Sequence, residues 1–149
     1  MFRNLLSRLL DDSASSGMLQ RHDAEVAIAA LLVRLARADD EYGKAAKKRI
    51  DELLALRGGL STSDATELRA AAEMIEAEAP DTVRFTRQIK DKIVLAERIA
   101  VVEALWAVAY ADGKKTASEE ALVRLVSNLL GISDVESGLA RQRVAHAAR

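Results

Sequence analysis

This chain contains very few of the residues that build tight turns: Pro80 is the only proline in 149 residues, and glycine occurs seven times. β-Sandwiches and barrels need a turn every few residues and use both residue types to make them. Here apolar residues instead recur at three- and four-residue spacing, and the alternating pattern of a strand persists nowhere. The sequence therefore predicts an all-α protein, a single compact helical domain of about seven helices with an additional amphipathic helix at its N-terminus.

The residues that start and stop helices set the predicted boundaries. Ser61, Thr116 and Ser133 are each followed three positions later by an acidic residue, which is the pattern of a capping box. The proline and two of the glycines, Gly58 and Gly131, mark helix ends. The predicted helices cover residues 23–38, 44–57, 61–79, 81–90, 95–111, 116–130 and 133–148.

The first ten residues carry an amphipathic pattern of their own. Apolar side chains fall at i, i+3, i+4, i+7 and i+8, namely Phe2, Leu5, Leu6, Leu9 and Leu10. This spacing predicts a helix with one apolar face, followed by a flexible loop over residues 11–17. We divide the chain into this N-terminal helix and loop, residues 1–22, and a main helical domain, residues 23–149. Docking of the apolar face on the core or on a partner helix is favoured over a membrane surface, which one short helix binds weakly.

Composition excludes several classes of function. The chain has no cysteine and therefore no disulfide, thiolate zinc site or cysteine nucleophile. Its 22 basic and 23 acidic residues give a net charge of −1, whereas nucleic-acid binders carry a basic surplus. No apolar run approaches the roughly 20 residues of a membrane span, and the first residues lack the pattern of a signal peptide. We expect a cytoplasmic protein without a nucleic-acid partner.

The sequence contains an internal repeat, in which residues 26–58 align with residues 99–131 without a gap. The identical pairs include Asp39 with Asp112 and Gly58 with Gly131. In both copies a helix, an acidic break, a second helix and a glycine stop follow in the same order. We expect a duplicated helix pair that packs with pseudo-twofold symmetry, because the apolar stripe of each copy needs a mate to cover it.

Two stretches, residues 30–56 and 84–133, resemble the tellurite-resistance TerB family. The second stretch is the more specific, and its motif residues stand in the order and spacing of the alphaproteobacterial branch. These residues are Phe85-Thr86, Glu97-Arg98, Leu105-Trp106, Ala111-Asp112-Gly113 and Glu119.

The resemblance implies a helical domain of two related halves that occurs in bacterial chemical-stress and tellurite-resistance systems. It also implies work in membrane-associated complexes, a metal-binding role proposed for the acidic motif, and no established enzymatic activity. The family residues that carry over are Asp39, Asp112, Gly113 and Glu119. The chain departs from the family pattern at four positions where glycine or an acidic residue is common, and these are Asp40, Ala46, Lys114 and Thr116.

The acidic segments allow two interpretations. Asp39, Asp112 and Glu119 offer the carboxylate oxygens that Ca²⁺ or Mg²⁺ prefers, which predicts a divalent-cation site. Alternatively, Glu119 completes a capping box with Thr116, worth about 1 kcal/mol of helix stability, and Asp112 satisfies N–H groups at the helix start. Capping is favoured, because acidic residues at helix ends are common and complete ligand sets are rare.

Two functional hypotheses follow. The first is an adaptor that binds a protein partner, with the inner-membrane surface as a candidate location. The second is a divalent-cation sensor that uses the acidic helix ends. We expect no enzyme, because the sequence offers no nucleophile, acid–base couple or cofactor motif. The isolated histidines His22 and His146 do not make a zinc site.

Overall fold

A computed structural model describes residues 16–38, 42–78, 81–111 and 116–147, and these residues contain seven α-helices and no strand. This result confirms the predicted all-α class. The helices are α1 (Ser16–Ala36), α2 (Lys44–Gly58), α3 (Thr62–Glu78), α4 (Thr82–Lys92), α5 (Leu95–Ala109), α6 (Ala117–Leu129) and α7 (Asp134–Ala147).

Helix α1 is the centre of the bundle. It packs against α2, α3, α4, α5 and α6, while α7 lies on α5 and α6. The sequence predicted an apolar face on this helix, but from Ala24 to Ala36 nearly every side chain is buried, Leu31 and Leu35 included. A helix that is apolar all round belongs in the interior, because each of its sides removes apolar surface from water.

The start of α1 differs from the prediction. The helix begins at Ser16, so the predicted loop over residues 11–17 is wrong for Ser16 and Gly17. Extending an existing helix costs little per residue, and this explains why Ser and Gly join it despite their weak helix propensity. The predicted amphipathic helix over residues 2–10 lies outside the described residues. The division of the chain after residue 22 stays a prediction, although that position lies within α1.

Two glycines end helices by adopting the left-handed conformation that other residues avoid. Gly59 has φ of 62° at the end of α2, and Gly131 has φ of 78° after α6. At Gly131 the neighbourhood adds a second requirement, because a Cβ atom would lie 3.1 Å from Nη1 of Arg98. That guanidinium donates to the carbonyl of Leu130, and its Nε donates to the carbonyl of Ile93 at 3.0 Å. Arg98 therefore ties the α4–α5 junction to the end of α6.

The end of the first helix and the start of the second helix fall at equivalent positions in the two copies of the proposed repeat. Helix α1 ends at Ala36 and α5 at Ala109, and these two residues are equivalent when residues 26–58 are aligned with residues 99–131. Helix α2 begins at Lys44 and α6 at Ala117, which are equivalent in the same alignment. The connections in the two copies therefore have the same length. The duplication itself stays a prediction, and the surroundings of the copies differ, since α1 is enclosed whereas Ala100 of α5 is exposed.

Candidate functional site

Glu119 is the one predicted ligand that lies within the described residues. Its side chain is buried, and its Oε1 accepts from the backbone N–H of Thr116 at 3.1 Å and from the Thr116 hydroxyl at 3.2 Å. The Thr116 hydroxyl in turn accepts from the backbone N–H of Glu119 at 3.1 Å. This reciprocal pair is a complete capping box and confirms the predicted structural role of Glu119.

Asp39 and Asp112, the other two predicted ligands, lie outside the described residues, as do Asp40 and Gly113. The described residues contain no group of three or more His, Asp or Glu side chains close enough to hold a metal ion. The cation site at Asp39, Asp112 and Glu119 therefore stays a prediction.

We refer to helices α1 to α3 as the first half of the molecule. Within it, an ionic network joins α2 to α3. Arg69 donates through Nε to Oδ1 of Asp51 at 2.6 Å and through Nη1 to Oε2 of Glu73 at 3.2 Å. The Thr66 hydroxyl donates to the second Asp51 oxygen at 3.0 Å. Burial opposes the charge of Arg69, but its hydrogen bonds to the Asp51 carboxylate outweigh that effect and raise its pKa. The network therefore holds a charged pair that is mostly removed from water.

The same network holds Tyr42, the residue that follows the first acidic segment. Burial, followed by the nearby Glu73 carboxylate, raises the pKa of Tyr42 well above its ordinary value, so the phenol stays neutral. The guanidinium carbon of Arg37 lies 5.2 Å and Nζ of Lys47 5.0 Å from the ring centroid, within cation–π range. Cations from α2 and from the end of α1 thus fix this ring.

We refer to helices α5 to α7 as the second half. The buried polar contacts between these helices are mostly between neutral groups. Nε1 of Trp106 donates to the Ser137 carbonyl at 3.2 Å and to its hydroxyl at 3.3 Å, and the hydroxyls of Ser137 and Ser127 lie 3.2 Å apart. All three side chains are buried. Arg141 covers this cluster, with its guanidinium carbon 5.2 Å from the indole centroid and its Nε donating to the Tyr110 hydroxyl at 2.9 Å.

An open groove with a volume of about 810 Å³ lies between α2, α5 and α7. Ile28 and Leu32 of α1 line it, and alanines of α5 form one wall, where larger side chains would close the space. Leu53 and Leu56 of α2 line the groove as well, and Leu56 is 84% exposed. The other apolar lining residues are Ala45, Leu54, Ala100, Ala104, Ala107, Ala111, Val144 and Ala147.

Charged residues of both signs surround the groove, and most of them pair with each other. The pairs are Arg49 with Glu52 at 3.3 Å, Arg143 with Glu103 at 3.2 Å, and Arg57 with Glu25 at 3.0 Å. This rim is therefore largely neutralised, and the groove presents mainly apolar surface. Among the described helices, none combines the length and apolar character that crossing a bilayer requires.

The fold is that of a helical bundle in which the buried helix α1 packs against helices of both halves. An open groove lies between α2 of the first half and α5 and α7 of the second. The family model described as tellurite resistance protein TerB matches residues 25–142, and the chain belongs to this family. The comparison with curated proteins found no match, and neither did the comparison with solved structures. Assignment to the alphaproteobacterial branch stays a prediction.

Sequence reasoning missed both the groove and the network at Arg69. The groove left one signal, the alanines at positions 100, 104 and 107, which share one face of α5, with Ala111 just beyond its end. We interpreted small residues as a means of close helix packing, whereas these alanines line an open space. For Arg69 there was no local signal, because its partner Asp51 lies far away in sequence on another helix.

Proposed function

We propose that this protein is a non-enzymatic adaptor in a bacterial chemical-stress or tellurite-resistance system, located in the cytoplasm and in part at the inner-membrane surface. Membership of the TerB family supports the setting. The observation that carries the adaptor role is the apolar groove between α2, α5 and α7. The groove takes the apolar face of a helix from a partner protein.

The dimensions and chemistry of the groove support this mode of binding. An amphipathic helix presents apolar anchors at i, i+3, i+4 and i+7, which fit a groove walled by aliphatic side chains. Burying Leu56 beneath such a helix removes apolar surface from water, which stabilises the complex by about 25 cal/mol per Å² before the costs of association. The rim pairs add selectivity for orientation more than affinity, because exposed ion pairs contribute about 1 kcal/mol or less.

Leu56→Glu tests the adaptor role. Leu56 is 84% exposed, so the change leaves the core intact and places a charge in the groove. Affinity purification from tellurite-exposed source cells, followed by mass spectrometry of the membrane and cytosolic fractions, should recover one or a few specific partners with the wild type. The Leu56→Glu variant should lose them, and cells carrying it should lose tellurite tolerance.

Val135→Glu is the matched control, because Val135 is 74% exposed and does not line the groove. It should retain both the partners and the tolerance. A partner set that survives Leu56→Glu, or that both variants lose equally, would rule out the groove as the binding site.

The alternative proposal is a divalent-cation sensor with Asp39, Asp112 and Glu119 as ligands. The helix bounds support it in one respect, since both acidic segments connect helix ends at equivalent positions of the aligned copies. A cation at about 100 times its Kd stabilises a protein by about 2.7 kcal/mol. Thermal unfolding with chelator, and then with Ca²⁺, Mg²⁺, Mn²⁺ and Zn²⁺ in turn, should show a cation-dependent Tm increase that Asp112→Ala abolishes and Asp134→Ala retains.

A further inference from the structure

Helix α4 presents a row of positive charge on its exposed side. Arg84, Arg87 and Lys90 follow each other at three-residue spacing, which places them on neighbouring turns of the helix. All three side chains are exposed, as is Lys92 at the end of the helix. The ion pairs within the described part of the chain involve none of these four cations. Their charge is therefore available to a partner.

This positive charge contrasts with the rest of the molecule. Helix α4 contains four basic residues and one acidic residue, Asp91, and so has a net charge of +3. Because the whole chain has a net charge of −1, the residues outside α4 together carry a net charge of −4. A molecule with this distribution turns its positive side towards an anionic surface, since the remainder is repelled from that surface.

Exposed aliphatic side chains lie at both ends of the same helix. Val83, in its first turn, is 50% exposed, and Val94 and Leu95, where α5 begins, are 67% and 47% exposed. An anionic bilayer suits both kinds of side chain, because the lipid phosphates attract cations and the acyl boundary beneath them takes up aliphatic groups. A soluble acidic segment would match only the cations. The combination therefore favours a lipid surface over an acidic protein.

We infer that α4 docks the protein on the surface of an anionic bilayer, with Arg84, Arg87 and Lys90 against the lipid phosphates. The contact is shallow, because Phe85 and Ile89 on the opposite side of α4 are buried in the core and do not reach the lipid. Attachment is therefore weak, reversible and sensitive to salt. The inference rests on the proposed membrane location and names the surface that provides it. No residue of α4 lines the groove, so the two surfaces are separate.

Co-sedimentation of the full chain with vesicles tests the role of charge. The wild type should bind vesicles that contain phosphatidylglycerol and not vesicles of phosphatidylcholine alone, and added salt should release it. Arg84→Glu/Arg87→Glu should bind at least about tenfold more weakly, since each cation near an anionic surface strengthens binding about fivefold. This variant should keep the fold, because both side chains are exposed and neither forms an ion pair within the described residues.

Lys44→Glu/Lys48→Glu is the matched control. Both lysines are exposed and lie one turn apart on α2, which does not pack against α4, and their reversal changes the net charge by the same amount. The control should bind the anionic vesicles nearly as well as the wild type. An equal loss in the two variants would overturn the inference, because net charge rather than α4 would then decide binding. Equal binding to neutral and anionic vesicles, or binding to neither, would overturn it as well.

A fluorescent label tests whether lipid covers this surface. The natural sequence has no cysteine, so Val94→Cys takes an environment-sensitive fluorophore at a single site. Its emission should shift to the blue with anionic vesicles, whereas the same label on Val135→Cys, exposed on α7, should not shift. No shift at position 94, or an acidic protein that binds α4 while vesicles do not, contradicts the inference. Leu56→Glu should bind vesicles like the wild type, so failure of lipid attachment is distinguishable from failure of the groove.

Discussion

The two halves of the molecule begin their second helices at equivalent residues but hold them by different means. Helix α6 starts with a complete capping box from Thr116 and Glu119. At the start of α2 the equivalent positions are Gly43 and Ala46, and no side chain caps the helix. The same helix bounds are therefore reached with and without local side-chain help, so tertiary contacts must fix the start of α2.

The contacts that surround these helices differ in the same sense. In the first half, α2 is fixed by charges, through Arg69 with Asp51 and Glu73. In the second half, Ser137 of α7 contacts Trp106 of α5 and Ser127 of α6 through buried neutral groups. The ion pair of Arg143 with Glu103 is partly exposed. Removing one partner of a mostly buried ion pair leaves an uncompensated charge, whereas shortening a buried apolar side chain leaves a cavity. Two helix pairs with the same bounds are therefore stabilised in different ways, one by a buried ionic network and the other by buried neutral groups.

The largest effect is expected at the indole of the second half. Trp106→Ala should destabilise the protein by about 3 to 5 kcal/mol, because it removes a side chain that is 3% exposed and leaves a cavity. Trp106→Phe should cost less, since it keeps the ring but loses the bonds to Ser137. Urea unfolding followed by far-UV circular dichroism measures both, as Trp106 is the only tryptophan. A cost below about 1 kcal/mol for the alanine variant would show that this cluster does not anchor α7.

The ionic network of the first half comes next. Arg69→Met should cost about 2 to 3 kcal/mol, because it leaves Asp51 mostly buried without its main partner. A double-mutant cycle with Asp51→Asn isolates the pair. The matched control is the ion pair of Arg124 with Asp134, because Arg124 aligns with Asp51 in the repeat. The side chains of Arg124 and Asp134 are 67% and 56% exposed. That cycle should give about 0.5 kcal/mol or less, and similar values for both pairs would erase the contrast between the halves.

The capping box of α6 should contribute less. Thr116→Ala should cost about 1 kcal/mol, because the helix start loses the hydroxyl that accepts from the backbone N–H of Glu119. Glu119→Gln should stay within about 0.5 kcal/mol of the wild type, since glutamine makes the same cap. Chemical denaturation in the presence of chelator measures both changes. A large loss for Glu119→Gln under these cation-free conditions would mean that the carboxylate charge itself is needed for a contact other than the cap.

The smallest effect should be a gain at the uncapped helix. Gly43→Ser should stabilise the protein by about 0.3 to 1 kcal/mol, because serine caps α2 and restricts the unfolded chain. The backbone accepts it, with φ of −103°, and a Cβ atom there meets nothing within 4 Å. Gly59→Ser is the opposing control and should destabilise, since φ is 62°. Thermal unfolding compares them, and a loss at Gly43 would mean that the α2 start is fixed in another way.

The features that the sequence predicted are those that depend on nearby residues. Ser61 and Ser133 accept from backbone N–H groups three residues on, as their spacing indicated. Gly131 ends a helix because few other residues adopt its φ. The capping role of Glu119 was predicted for the same reason, since its partner Thr116 is three residues away.

The features that the sequence did not predict depend on how helices meet. Whether the alanines of α5 pack tightly or line a groove is decided by the positions of α2 and α7. The pairing of Asp51 with Arg69 depends on the α2–α3 packing, which no local spacing encodes. The early start of α1 at Ser16 was missed because the helix already formed downstream outweighs the weak propensity of Gly17.

The central position of α1 has a consequence for folding and for ancestry. Because α1 packs against α2 to α6, it supplies core to both halves, and the second half depends on it for part of its interior. The chain should therefore unfold in one cooperative transition, and the second half expressed without α1 should be much less stable. If a single helix pair was once duplicated, that ancestor needed a second copy of itself to bury its apolar stripe, and the present chain would then be the covalently joined form of a symmetric dimer.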